Sequence, residues 1–114
     1  MEATPRELRI YITKDDKRPF KNWLASLKDL KAITKIERRL DRLEKGNFGD
    51  YRFLENGIFE LRIDYGPAYR VYCGQIKRQI VLLLCGGDKS TQEQDILKAK
   101  EYWSDYRIRS NGNK

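Results

Sequence analysis

The sequence has 114 residues, which limits it to a single domain, spanning residues 1–114, with a hydrophobic core of its own. It carries 24 lysines and arginines against 17 acidic residues, and the net charge of +7 favours an anionic partner such as nucleic acid or an acidic protein segment. A basic domain whose charge only maintains solubility is the alternative. Because there is no histidine, histidine-based metal sites, triads and acid–base pairs are excluded.

Hydropathy and cysteine placement predict a cytoplasmic protein. No apolar run approaches the roughly 20 residues of a membrane span, and the first five residues lack the apolar core of a signal peptide. The two cysteines, Cys73 and Cys85, fall in strand patterns. A turn at residues 75–78 would place Cys73 opposite Ile80 or Val81, out of disulfide range of Cys85. We expect both thiols to be small buried hydrophobic groups and expect no metal site.

The first half of the chain predicts one strand and two helices. Residues 7–12 alternate in hydrophobicity, and Asp15 or Asp16 is expected to cap a helix that has Pro19 in its first turn. After a break at residues 29–30, a second helix places apolar side chains on one side and ends at Gly46. Its other side is a basic stripe, expected to be solvated or to touch RNA or the ribosome: Lys35, Arg38, Arg39 and Arg42.

The second half predicts four strands and a last helix. Residues 50–55 alternate weakly, and a hairpin spans residues 57–72. Residues 79–85 are apolar on both faces, as in a central strand, until Gly86-Gly87 break it. A capping box at residues 90–93 opens the third helix. Residues 1–6 and 107–114 are expected to be flexible tails. The order β-α-α-β-β-β-β-α indicates an α+β domain with helices on a mostly antiparallel sheet.

The hairpin at residues 57–72 has two chemically different faces. Loops of three or five residues keep its apolar side chains on one face, whereas even-numbered loops would mix the faces. Both odd loops set Arg62 against Arg70 and Glu60 against Tyr72. We therefore expect these four side chains on one exposed surface, where the two arginines need an anion between them.

The segment GGDKST at residues 86–91 follows a strand and opens a helix, as a phosphate-binding loop does. It lacks the G-x-x-x-x-G-K-[ST] frame and is too short to encircle a triphosphate, which excludes nucleotide hydrolysis. Two interpretations remain open. The helix N-terminus and Lys89 suit a single phosphate, or the glycines only make room for the turn and Lys89 is solvated.

Four strings resemble one family: GDYR at 49–52, GIFELRI at 57–63, GPAYRVY at 66–72 and GGDKSTQ at 86–92. They are similar to the RelE/ParE toxin superfamily, in its HigB-like, phage-derived "addiction module killer protein" branch, over residues 8–102. The resemblance implies two N-terminal helices against a curved antiparallel sheet and a C-terminal helix. It also implies a type II toxin that needs no cofactor and whose partner is a helix-turn-helix antitoxin. Contact with DNA would come only through that antitoxin.

Family members act in two ways. RelE-like and HigB-like toxins cut mRNA in the ribosomal A site without a metal, and ParE-like toxins inhibit DNA gyrase without cutting. Cleavage by attack of the ribose 2′-hydroxyl requires a base, an acid and cations around the phosphate. By motif, the resemblance assigns the scissile phosphate to Arg62, Arg70 and Lys89.

The remaining roles are also implied by the resemblance, although this sequence differs from the family at several of the positions. The family's lysine that acts as the general base falls near Glu60, so the candidate base here is the Glu60 carboxylate. Alternatively, Glu60 and Arg62 only form ion pairs at the surface. Other candidates for proton transfer or ribose contact are Tyr72, Gln92 and Asp95. The tyrosine and histidines of related sites are missing. Three hypotheses stay open: a ribosome-dependent mRNA endonuclease, a gyrase inhibitor, and an inactive toxin that only binds its antitoxin.

Overall fold

The computed structural model describes residues 4–112, which form an α+β fold of five strands in one sheet and three α-helices. The predicted element order is confirmed. In chain order the elements are β1 (Glu7–Ile10), α1 (Pro19–Ser26), α2 (Leu30–Glu44), β2 (Tyr51–Phe53), β3 (Ile58–Ile63), β4 (Tyr69–Ile76), β5 (Ile80–Asp88) and α3 (Gln92–Gly112), with a 3-10 turn at Lys89–Thr91 before α3.

The sheet has the strand order β1-β5-β4-β3-β2 and is antiparallel except for the parallel pair β1 and β5. The doubly apolar strand β5 lies inside the sheet, as its sequence predicted. Between β3 and β4, Arg62 pairs with Arg70 and Glu60 with Tyr72. The strands are joined by residues 64–68, so the five-residue alternative for the hairpin loop is the one observed.

Helices cover both faces of the sheet. One core joins α1 and α2 to the apolar faces of β3 and β4, through Phe20, Ile36, Phe59, Leu61 and Val71. The second core lies under α3, where Ala99 and Trp103 pack with Ile58, Tyr72 and Leu84. The face of the hairpin that was expected to be exposed is therefore largely covered by the C-terminal helix.

Two of the predicted helix caps are wrong. The N-cap of α1 is Arg18, without a side-chain hydrogen bond, and neither Asp15 nor Asp16 caps it. The turn before α3 is capped by Asp88, whose carboxylate accepts a hydrogen bond from the Ser90 backbone, 2.8 Å away. Because residues 89–91 form a 3-10 turn, α3 begins only at Gln92, two residues after Ser90. The predicted box at residues 90–93 is therefore replaced by one between Asp88 and Thr91.

Gly86 and Gly87 do not break β5, which continues to Asp88. A Cβ atom on Gly86 would lie 2.2 Å from the Trp23 ring, and one on Gly87 would lie 1.8 Å from the Asp95 carboxylate. Both glycines therefore lie within the strand. Only glycine fits at these two positions, because side chains from α1 and α3 occupy the space above and below the strand.

Both cysteines are buried and free, as predicted, although their pairing differs. The β4–β5 turn leaves Ile76 opposite Ile80, and this register places Cys73 opposite Leu83. A β-bulge between Tyr72 and Cys73 then places Cys85 opposite Tyr72. The predicted partners of Cys73, Ile80 and Val81, were therefore wrong.

The chain ends also differ from the expected tails. α3 remains helical through Gly112, and the backbone N–H of Arg6 donates to the Glu44 carbonyl at 2.8 Å. Residues 1–3 and 113–114 of the predicted tails lie outside the described residues. Within residues 4–112, no helix combines the length and the apolar character that crossing a bilayer requires.

The contact between Trp23 and Gly86 yields a stability prediction. Gly86→Ala should lower the free energy of unfolding by about 1–3 kcal/mol, because the new methyl group overpacks against the indole ring. The same substitution in a Trp23→Ala background should cost much less, since the ring is gone. Urea unfolding of the four proteins in this double-mutant cycle measures the coupling, and equal costs in both backgrounds would contradict the contact.

Candidate anion-binding site

One buried carboxylate organises the polar end of the hairpin. Glu60 lies in the middle of β3 and is 0% exposed. Its Oε1 atom lies 3.2 Å from Arg62 Nε, 3.7 Å from Arg52 Nη2 and 4.0 Å from Arg70 Nε. We call these four residues the arginine cluster. It holds three guanidinium groups around one carboxylate.

Strand register brings the cluster together. Arg52 on β2 lies directly opposite Glu60 on β3, and Arg62 follows Glu60 by two residues on the same face of that strand. Arg70 on β4 lies opposite Arg62. Three neighbouring strands therefore deliver one arginine each to the same patch of the sheet.

The last helix closes over the cluster. Gln92, the first residue of α3, donates from Nε2 to Glu60 Oε2 at 2.8 Å. Both oxygen atoms of the Glu60 carboxylate are thus engaged, one by arginines and the other by α3. The prediction that Glu60 lies on an exposed surface is wrong, because it was made without α3 in place.

The cluster keeps an excess of two positive charges, and part of each arginine reaches the surface. The side chain of Arg52 is 48% exposed, that of Arg62 34% and that of Arg70 11%. The two facing arginines were expected to need an anion between them, and Glu60 of the same chain supplies one negative charge. The remaining charge and the exposed guanidinium edges can bind an external anion such as a phosphate.

Tyr72 is also buried, contrary to the predicted exposed position. Its hydroxyl has no hydrogen-bond partner among the described residues. Burial raises the pKa of the Tyr72 phenol far above its usual value, and the nearby negative charges of Glu60 and Asp95 add to the increase. The phenol therefore stays protonated and lies beneath the surface that an external ligand would reach.

Asp95 serves to fix α3 to the sheet. It is 9% exposed, and its Oδ2 accepts a hydrogen bond from Thr91 Oγ1 at 2.5 Å. The same carboxylate packs onto Gly87, which lies opposite Arg70 on β4. Asp95 thus stands near the arginine cluster as a buried, bonded group.

Lys89 lies exposed at the same end of the sheet as Arg70. Its backbone N–H donates to the Ala68 carbonyl at 3.0 Å, which ties the 3-10 turn to the hairpin loop. The Asp88 carboxylate already occupies the start of this turn. The N–H groups of Lys89 and Ser90 therefore both have partners within the chain and do not need a phosphate. The Lys89 side chain is an exposed cation two residues after Gly87, which lies opposite Arg70.

Two arginines of the region were missed from the sequence. Arg52 could have been found by extending the register argument through the Asn56-Gly57 turn to β2. Nothing in the sequence distinguished Arg39 from the other members of the basic stripe, so its contact with the hairpin was not predicted. The structure shows it half-buried, donating to the backbone carbonyls of Arg62, Phe48 (2.9 Å) and Asp50 (2.8 Å).

The donor set of the region suits anions rather than cations. Across residues 4–112, no three histidine, cysteine or acidic side chains come together as a group able to hold a metal ion. The polar groups that converge on the cluster are guanidinium N–H donors, with the carboxylate already enclosed.

Comparison with known proteins places the chain in a family. Residues 22–103 match the "Phage derived protein Gp49-like (DUF891)" family, so the chain belongs to that family. A protein of Haemophilus influenzae described as "Uncharacterized protein" is 56% identical over 81 residues, which cover 71% of this chain and 82% of the relative. The match with the family includes every residue of the arginine cluster.

Glu60 should contribute more to the free energy of unfolding than an exposed acidic residue does. Glu60→Gln leaves three arginines around a neutral group, and we expect the free energy of unfolding to fall by about 3 kcal/mol. The control is Glu55→Gln, which removes the exposed ion pair with Lys100 and should cost less than about 1 kcal/mol.

Urea unfolding with and without phosphate completes this test. An added anion should stabilise the Glu60→Gln protein more than the unaltered protein, because it replaces the lost negative charge. Equal small losses in both variants would show that the arginines do not depend on Glu60.

Proposed function

We propose that this protein is the toxin of a type II toxin–antitoxin pair, a RelE/HigB-like, ribosome-dependent and metal-independent mRNA endonuclease that inhibits translation in the cytoplasm. The observation that supports it most directly is the arginine cluster, a partly exposed group of three guanidiniums with an excess of two positive charges. The sequence strings around Glu60, Arg70 and Lys89 are those that resemble the toxin superfamily.

In this proposal Arg62, Arg70 and Lys89 hold the scissile phosphate, and Arg52 joins them. Attack by the ribose 2′-oxygen forms a bond to phosphorus and breaks the bond to the 5′-oxygen, leaving a cyclic phosphate and a free 5′-hydroxyl. Negative charge builds up on the phosphoryl oxygens during this step. Guanidinium groups fixed in advance stabilise that charge without reorganising.

The proton acceptor in this proposal comes from outside the arginine cluster. Glu60 is enclosed by arginines and by Gln92, and Asp95 is bonded to Thr91, so neither carboxylate reaches a ribose hydroxyl. Solvent or a ribosomal group takes the 2′-proton and returns one to the leaving oxygen. Such an arrangement agrees with activity that depends on the ribosome. Glu60 and Gln92 then act by positioning the arginines.

One observation favours a second candidate, a ParE-like inhibitor of DNA gyrase. Because the carboxylates beside the cluster are engaged, the exposed groups are cations that can grip an acidic protein surface without any chemistry. In either case, an acidic stretch of a helix-turn-helix antitoxin would neutralise the toxin by occupying the same arginines. A chain that only binds its antitoxin is the third possibility.

Arg70→Ala should remove most of the cleavage activity while leaving the protein folded. We expect cleavage of translated mRNA, measured by primer extension after induction without antitoxin, to fall by about 10²–10³-fold, as when one transition-state donor is removed. The control is Arg9→Ala on β1, at the opposite edge of the sheet from β2. It should cut like the unaltered protein. Circular dichroism and urea unfolding confirm that both variants are folded.

Each outcome of that experiment bears on one hypothesis. Undiminished cleavage by a folded Arg70→Ala protein would remove Arg70 from the mechanism. Intact mRNA together with loss of supercoiling, on expression of the unaltered chain, would replace the nuclease with the gyrase inhibitor. Normal growth with neither effect would leave only the antitoxin-binding chain.

A further inference from the structure

A second basic surface lies between α2 and the loop at the end of the β3–β4 hairpin. It is a cleft of about 220 Å³. Four basic side chains of α2 line one side, and two residues of the hairpin loop line the other. We call it the α2 cleft: Lys35, Arg38, Arg39, Arg42, Asp64 and Tyr65.

Helical spacing aligns the four basic residues. They occupy positions i, i+3, i+4 and i+7, which lie along one side of a helix. None of the four has a carboxylate oxygen within 4.0 Å in the part of the chain that the structure describes. Asp64 contributes a single negative charge to the lining. The α2 cleft therefore carries an excess of three positive charges.

Arg39 places one of these charges beneath the surface. Its guanidinium is held by three backbone carbonyls, those of Arg62, Phe48 and Asp50. Burial lowers the pKa of Arg39, the charge of Asp50 opposes this effect, and the neighbouring Arg42 adds to it. A half-buried cation bound only by carbonyls, beside further cations, would be stabilised by an anion in the cleft.

The aromatic wall of the cleft is held in place. The Tyr65 hydroxyl donates to Asp29 Oδ2 at 3.0 Å, and Asp29 also caps the N-terminus of α2. Lys35 Nζ lies 5.2 Å from the centre of the Tyr65 ring. A basic groove with an aromatic side chain is the combination that proteins use for single-stranded nucleic acid.

We propose that the α2 cleft binds phosphate groups of single-stranded RNA, as a second contact for the strand that the arginine cluster holds. The inference rests on the proposed function in that the same strand serves both places. Arg39 connects them, because it donates to the carbonyl of Arg62, whose side chain belongs to the cluster. An RNA strand passing the end of the hairpin meets the cluster on one face of the sheet and the α2 cleft on the other.

The test is equilibrium binding of a short fluorescent 2′-O-methyl RNA, which cannot be cleaved by 2′-hydroxyl attack, at several salt concentrations. The double variant Arg38→Ala/Arg42→Ala should bind about tenfold more weakly. The slope of its log affinity against log salt should fall by about 1.4, since each lost phosphate contact contributes about 0.7 for a single strand. Both side chains are exposed, so the variant should unfold at the same temperature as the unaltered protein.

The matched control is Lys28→Ala/Arg78→Ala, which removes the same charge from exposed sites outside the cleft. It should keep both affinity and slope. An equal loss in both double variants would overturn the cleft and leave only a general effect of net charge. RNA binding that is unchanged in the Arg38/Arg42 variant, with a lost affinity for a polyglutamate peptide, would instead assign the cleft to an acidic protein.

These outcomes are separable from the proposed nuclease. Unchanged RNA binding by Arg38→Ala/Arg42→Ala removes the α2 cleft, whereas the part played by the arginine cluster is decided by cleavage in Arg70→Ala. A protein in which Arg70→Ala abolishes cleavage and the cleft variant binds normally would keep the nuclease and lose the second contact.

Discussion

The Glu60 carboxylate is the interaction on which the site depends. A buried carboxylate is costly unless charged partners and hydrogen bonds surround it. Here it has arginines from β2, β3 and β4 on one oxygen and Gln92 of α3 on the other. The same charge lets Arg62 and Arg70 face each other across two strands, a placement that would otherwise be repulsive. One residue thus joins three strands and the last helix and supports a concentrated positive surface.

The docking of α3 determines which part of the sheet remains open. Trp103 lies so close to Gly74 that a Cβ atom there would come within 2.3 Å of the ring, and Asp95 packs in the same way on Gly87. These contacts seal the sheet face over Tyr72 and Leu84. The arginine cluster lies at the N-terminal end of α3, where Gln92 bonds to Glu60 and the arginine side chains still reach the surface. On the α3 face of the sheet, an anionic ligand is therefore confined to that end.

Local pattern was sufficient for the strands, the α2 helix and the register of the hairpin, because alternation and helical spacing are properties of neighbouring residues. It failed where a helix packs on the sheet or begins beside it. Glu60 and Tyr72 were expected on the surface, the glycine pair was expected to end β5, and Ser90 was expected to cap the helix. Glu60, Tyr72 and Gly87 lie under α3, and Gly86 lies under Trp23 of α1, so their surroundings are set by residues distant in sequence. The change of cap follows from the 3-10 turn before α3. Arg39 was missed because the three carbonyls that hold it, those of Phe48, Asp50 and Arg62, come to α2 only when the chain folds.

The arrangement of the guanidiniums bears on how an external anion would enter. Each arginine has several N–H donors in a fixed plane, and in the cluster few of them are used within the chain. Arg62 donates from Nε to Glu60, and Arg70 makes a 3.5 Å contact from Nη1 to the Tyr69 carbonyl. The exposed edges can therefore receive a phosphate while Glu60 stays in place. Binding then needs no rearrangement of the site, which is the condition under which fixed charges stabilise a transition state best.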